Sequence, residues 1–155
     1  MTDRLLAAEA GVSDMAETND VGLTHVALMV TNPDASVAFY QKYAAMTVVH
    51  RRVDAETQRT VVWLTDRTRP FVIVLIETDK VETPLLPFAH LGVGTRNREE
   101  VERLCREAVS NGCLLSGPTD SGYPVGYWAF LSDPDGNTLE ISYGQEIALT
   151  VARSA

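Results

Sequence analysis

The sequence has little cysteine: two in 155 residues, Cys105 and Cys113, too few for a disulfide framework. Cys105 shares a predicted helix face with Val101, Leu104 and Ala108, and Cys113 starts a predicted strand, so both read as small buried hydrophobes. Lysine is scarce as well, with only Lys42 and Lys80, and 21 acidic residues outnumber 13 lysines and arginines for a formal charge of −8. That balance excludes the basic face a nucleic-acid partner requires. No apolar run approaches the ~18 residues that would span a bilayer. The opening stretch MTDRLLAAEAGVSDMAETND has no secretory apolar core. A cytoplasmic, soluble protein with neither nucleic-acid nor membrane partners is the expectation.

What is present is enough apolar material, 45%, to pack one core without staples. Residues 1–20 read as a flexible tail, with Leu5, Leu6 and Ala8 able to form a short helix; residues 146–155 read as a second tail. Between them, residues 21–145 read as one domain of two similar modules, 22–78 and 88–145, joined by the linker TDKVETPLLP.

The first module opens with LTHVALMV, alternating as a strand, with His25, Ala27 and Met29 on one face and Val26, Leu28 and Val30 on the other. Asn32-Pro33-Asp34 is a helix start: a capping side chain, a proline at the first helical position and an acid in the first turn. Strands are predicted at 47–53, 60–65 and 71–77. The second module repeats the order. FAHLGVG is a strand with His90, Gly92 and Gly94 on one face; Asn97 opens a helix to about Ser110, ended by Asn111-Gly112. Strands follow at 113–117, 126–132 and 137–143, the last two joined by the turn Asp133-Pro134-Asp135-Gly136-Asn137. Each half is therefore β-α-β-β-β, and the expected fold class is α+β. His25 and His90 occupy the same element 65 positions apart, an offset shared by Asn32 and Asn97.

In such a module the apolar neighbours of each histidine pack under the helix, which leaves His25 and His90 on the opposite, concave face. Leu139 and Ile141 suit the helix side of the last strand, which puts Glu140 and Ser142 with the histidines. If the two sheets close about a pseudo-twofold axis, both first strands become central and the histidines converge. Two imidazoles and a carboxylate are a donor set for one divalent cation with open positions for water or substrate.

Over residues 22–145 the chain resembles the vicinal-oxygen-chelate superfamily, which includes glyoxalase I, epimerases, fosfomycin-resistance proteins, extradiol dioxygenases and metal-free bleomycin-binding proteins. The resemblance is carried by THVALMVTNPDASVAFYQKY, by PFAHLGVGTRNREEVERLC and most specifically by FLSDPDGNTLEI. It implies a curved, cupped mixed sheet around a metal site. It implies one metal (Fe, Mn, Ni, Co or Zn) on His25, His90 and Glu140, a small oxygenated substrate bound through two neighbouring oxygens, and a homodimer. Glyoxalase I and the epimerases use a fourth ligand from the last strand of the first half, a position that falls on Val74, with Glu77 or Glu56 as alternatives if the register slips by one. Extradiol dioxygenases carry a tyrosine ten residues before the glutamate, where this chain has Phe130, with Tyr127 or Tyr123 as substitutes.

The expected activity is a metal-dependent lyase, isomerase or dioxygenase, with Glu140 and Tyr127 as candidate catalytic residues. The alternative is a metal-free binder of the bleomycin-resistance type. Trp63 and Trp128 are candidate cavity walls, Asp120 to Gly126 a candidate lid, and Arg51-Arg52 a candidate carboxylate clamp. His50 reads as a surface residue.

Overall fold

The computed structural model describes residues 22–154; the N-terminal tail and its suggested helix lie outside them. The elements run β1 (His25–Val30), α1 (Pro33–Ala44), β2 (Thr47–Val53), β3 (Thr60–Thr65), β4 (Val72–Glu77), β5 (His90–Gly94), α2 (Arg98–Ser110), β6 (Leu114–Asp120), β7 (Tyr127–Ser132), β8 (Thr138–Tyr143) and α3 (Ile147–Arg153). The two β-α-β-β-β modules are present. Each helix begins where its asparagine satisfies a free backbone N–H: Asn32 accepts from Ala35 N at 3.1 Å and Asn97 from Glu100 N at 2.8 Å. α2 ends at Gly112, whose φ of 68° is the left-handed turn that glycine adopts without strain.

The modules form two four-stranded mixed sheets, ordered β1-β4-β3-β2 and β5-β8-β7-β6. In each, the first strand pairs parallel to the last and the other pairings are antiparallel. This corrects one expectation. β1 and β5 are not central: each is an edge strand bonded on one side only. Each helix carries the chain across to the far edge strand, β2 or β6, and the antiparallel run back brings the last strand beside the first; among the described residues nothing pairs the other edge of β1 or β5.

The helix sides of both modules share one core. Leu28, Val30, Leu64 and Leu75 of the first sheet, with Tyr40 and Tyr43 of α1, belong to the same apolar cluster as Val101 and Leu104 of α2 and Leu131, Leu139 and Ile141 of the second sheet. Fully buried side chains of this kind contribute roughly 1.5–3 kcal/mol each. The histidine-bearing faces lie outside this core.

A polar brace crosses the module boundary. Asp133 is buried, and its carboxylate accepts from Asp135 N (2.9 Å), Asn137 N (2.8 Å), Asn137 Nδ2 (2.9 Å) and Tyr40 Oη of α1 (2.9 Å). Asp135 accepts from Thr31 N and Oγ1, and Asn137 Oδ1 takes the linker amide of Leu85 at 2.9 Å. The most family-specific motif thus holds the start of β8 against the first module. Burial and the adjacent Asp133 carboxylate push the Tyr40 hydroxyl well above the ordinary tyrosine range.

The C-terminal segment read as a tail instead carries the seven-residue helix α3. It lacks a side-chain cap, Glu146 sits at its start with a φ of 36°, and it is too short for periodicity to reveal.

Candidate metal centre

Glu140 lies in the middle of β8, with Gly92 of β5 opposite it on one side and Phe130 of β7 on the other. It is 7% exposed, and its only basic neighbour among the described residues is His90, whose Nε2 stands 3.5 Å from Oε2. Its other oxygen accepts a hydrogen bond from Gln145 Nε2 at 2.5 Å. A buried carboxylate without lysine or arginine is costly unless a cation completes it.

The imidazole is set for that role. His90 Nδ1 lies 2.6 Å from the Phe88 carbonyl, which can only accept; Nδ1 therefore donates, and Nε2 is the nitrogen left facing Glu140. At 3.5 Å apart, His90 Nε2 and Glu140 Oε2 are close enough for both to hold one cation. Gly92 leaves the wall open, since a side chain there would meet nothing within 4 Å. On the other side Phe130 stacks on His90 at 5.1 Å and Trp128 on Phe130 at 4.7 Å, while Trp128 Nε1 donates to Ser121 Oγ at 3.0 Å. That bond ties the Asp120–Gly126 loop to the aromatic wall. Trp128 and Phe130 are therefore the pair on the histidine face, a choice the alternation in β7 leaves open.

His25 is on the other sheet. Its Nδ1 is 3.0 Å from Thr24 Oγ1, a hydroxyl that can donate or accept, and Nε2 has no hydrogen-bond partner among the described residues. It lines a cavity of about 510 Å³ with Trp63, Phe71, Val74, Arg67 and Arg69. One chain brings His90 and Glu140 together but not His25: no group of three or more metal-ligating side chains forms among the described residues.

The register aligns the two sites. Ala27, Val74 and Trp63 are cross-strand neighbours, as are Gly92, Glu140 and Phe130. Val74 therefore occupies the first-module counterpart of Glu140 and faces the His25 cavity. Glu77 takes the amide of Thr60 at 2.8 Å, and Glu56 sits in the β2–β3 turn, whose amides Asp54 caps.

Other expectations resolve differently. Tyr127 is not beside Glu140. It lies on the helix side of β7 with Ala129 and Leu131, packed against the core, with the Arg98 guanidinium 3.8 Å over its ring. Burial, with the carboxylate of Glu102 nearby, raises its hydroxyl pKa, which suits a structural residue. Arg51 and Arg52 are engaged by Asp34 and Asp54. His50 packs on Trp63 at 5.0 Å from an exposed strand. Sequence reasoning missed Gln145, the last residue of the second module and just past its last predicted strand, and Arg67 and Arg69, which resemble ordinary turn charges.

Comparison with known proteins agrees with this fold. The family model described as the Glyoxalase/Bleomycin resistance protein/Dioxygenase superfamily matches residues 22–141. An uncharacterized protein of Pseudomonas aeruginosa is 38% identical over 128 residues, covering 81% of this chain and 90% of its own length. Among solved structures, the fosfomycin resistance protein FosX of Listeria monocytogenes, complexed with Mn(II) and 1S,2S-dihydroxypropylphosphonic acid, superimposes with a TM-score of 0.67 at 16% identity, covering 86% of this chain and 99% of that one. The trypanothione-dependent glyoxalase I of Leishmania major gives 0.65 at 21% identity, covering 87% and 94%. The chain belongs to the glyoxalase, bleomycin resistance protein and dioxygenase superfamily.

Proposed function

We propose that the protein is a metalloenzyme in which His90 and Glu140 of one copy and His25 of a second copy hold one divalent cation, Fe, Mn, Ni, Co or Zn. The observation that carries this reading is the buried Glu140 carboxylate, charge-unbalanced and faced by an imidazole nitrogen at 3.5 Å. The Mn(II) in the Listeria relative's structure supports it. The homodimer is supported by the unpaired edges of the histidine strands β1 and β5, two of the four sheet edges among the described residues, and by exposed apolar side chains beside the histidines, Met29 and Trp63 in one module and Phe88 in the other. The free cysteines suit a reducing, cytoplasmic setting.

The chain's own residues divide the work. Gln145 engages one oxygen of Glu140 and leaves the other toward the cation. The Phe88 carbonyl keeps His90 in the tautomer that can coordinate. Gly92 leaves room for a small substrate presenting two neighbouring oxygens, and Phe130 and Trp128 keep water from one side. A bound cation supplies Lewis-acid stabilisation of negative charge developing on a substrate oxygen. The reaction class is lyase, isomerase or ring-cleaving oxygenase chemistry.

Anaerobic reconstitution followed by elemental analysis tests the proposal. Stoichiometric uptake by the native chain, lost in His25→Ala, His90→Ala and Glu140→Ala, is expected. Refusal of all five metals would leave the metal-free binder, a reading that the largely apolar His25 cavity favours.

A further inference from the structure

We infer that the cavity beside His25 takes a small organic carboxylate with an aromatic or alkyl body, its acid group held by Arg67 and Arg69. The inference rests on the reading of His25 as part of the working site. It extends that reading to a substrate class.

The support is that these two arginines, in an acidic chain, line one cavity without a carboxylate partner. Arg51, Arg52, Arg59, Arg98 and Arg103 are all paired with carboxylates. Arg67 and Arg69, like Arg96, Arg106 and Arg153, form no ion pair with any described Asp or Glu; what sets them apart is that both line the His25 cavity. The nearest acid in sequence, Asp66, is taken by Thr68, accepting from its amide at 2.9 Å and its hydroxyl at 2.7 Å. Arg67 is steered rather than neutralised: its amide donates to Thr65 Oγ1 and its Nε to Thr47 Oγ1 at 3.2 Å, so its terminal nitrogens are left for a ligand. It holds a φ of 59°, a backbone conformation that a residue other than glycine adopts at some cost. Two arginines lining one cavity suit a carboxylate, which accepts paired N–H bonds from a planar guanidinium. The rest of the wall is apolar, from Trp63, Phe71, Val72 and Val74, and about 510 Å³ accommodates a small organic molecule. A bare inorganic anion would leave that wall unfilled, and a neutral apolar compound would leave the arginines unused.

The test is calorimetric titration of the full-length, metal-free protein with 4-phenylbutyrate, phenylacetate and hexanoate, each against its primary amide, and with inorganic phosphate. At least one acid should bind about tenfold or more tightly than its amide, the expected worth of a charge-assisted hydrogen-bond pair. Phosphate should bind more weakly than that acid. Arg67→Gln combined with Arg69→Gln should remove the acid's advantage and leave the amide's affinity unchanged. Equal affinity for every acid and its amide overturns the inference. So does retention of the full preference by the double variant, or phosphate binding as tightly as the best acid. The native acid–amide comparison requires no variant to fold. Metal uptake is measured on the same preparations. Acid preference without metal uptake supports the inference while contradicting the metal reading; metal uptake without acid preference does the reverse.

Discussion

The two modules share their element order and strand register and differ in what they place at matched positions. At the centre of the last strand the second module has Glu140 and the first has Val74; across from it stand Phe130 and Trp63; on the edge strand, Gly92 and Ala27. The turns before the last strands differ too. In the second module that turn is drawn into a buried brace around Asp133. In the first it is exposed and turns two arginines to a cavity. On the proposed reading, the second module holds a charge in a fixed place and the first surrounds something larger. A repeated scaffold thereby separates two tasks that one sheet would have to combine.

Substitutions can break this contrast, starting with the largest effect. Glu140→Ala or His90→Ala should weaken metal binding by more than about 100-fold, since each removes a direct donor where loss of a supporting bond alone costs 10–100-fold. Competition with a chromophoric chelator reads this out. Gln145→Ala should cost about 10- to 100-fold in the same assay, because Glu140 loses the donor that orients it. An unchanged affinity would make Gln145 a bystander.

Tyr40→Phe probes the brace by thermal or urea unfolding. It should cost about 2 kcal/mol near neutral pH, the worth of a buried hydrogen bond to a charged group. The folded-state pKa of Tyr40 is raised, so its contribution is complete below the unfolded value and is lost as pH climbs above about 10. The native chain should therefore lose stability over that alkaline range, and Tyr40→Phe should flatten the loss. The smallest change is expected from Val74→Glu, which gives the first module the second module's residue. The fold should survive, and metal affinity should rise severalfold; no change at all would place Val74 away from the cation.

Much of this contrast was legible in the sequence, for identifiable reasons. Alternation in LTHVALMV, FAHLGVG and the last strand separates the core face from the opposite one, so His25, His90 and Glu140 fall outside the core cluster as read; Val74 follows from matching the last strand of the first half to that of the second. The asparagine caps announced both helices. Pairing between modules is another matter. No local pattern says whether a strand has one neighbour or two, and β1 and β5 were expected at the centre when each is an edge. In β7 both alternating sets are apolar or aromatic, so Tyr127 and Phe130 could not be sorted until Ala129 and Leu131 were seen in the core. Arg67 and Arg69 were invisible because an exposed charged turn looks the same whether or not a cavity opens beneath it.

The central claim is that the site is shared between two copies, and subunit mixing addresses it most directly. His25→Ala and Glu140→Ala chains, each unable to hold metal alone, are combined under conditions that allow subunit exchange, and bound metal is counted after reconstitution. A shared site predicts recovery: in mixed dimers the intact His90–Glu140 pair of one copy meets the intact His25 of the other, restoring about one quarter of all sites at equal mixing. No recovery, in a mixture shown to contain mixed dimers, would contradict a shared site and require all ligands to come from one chain.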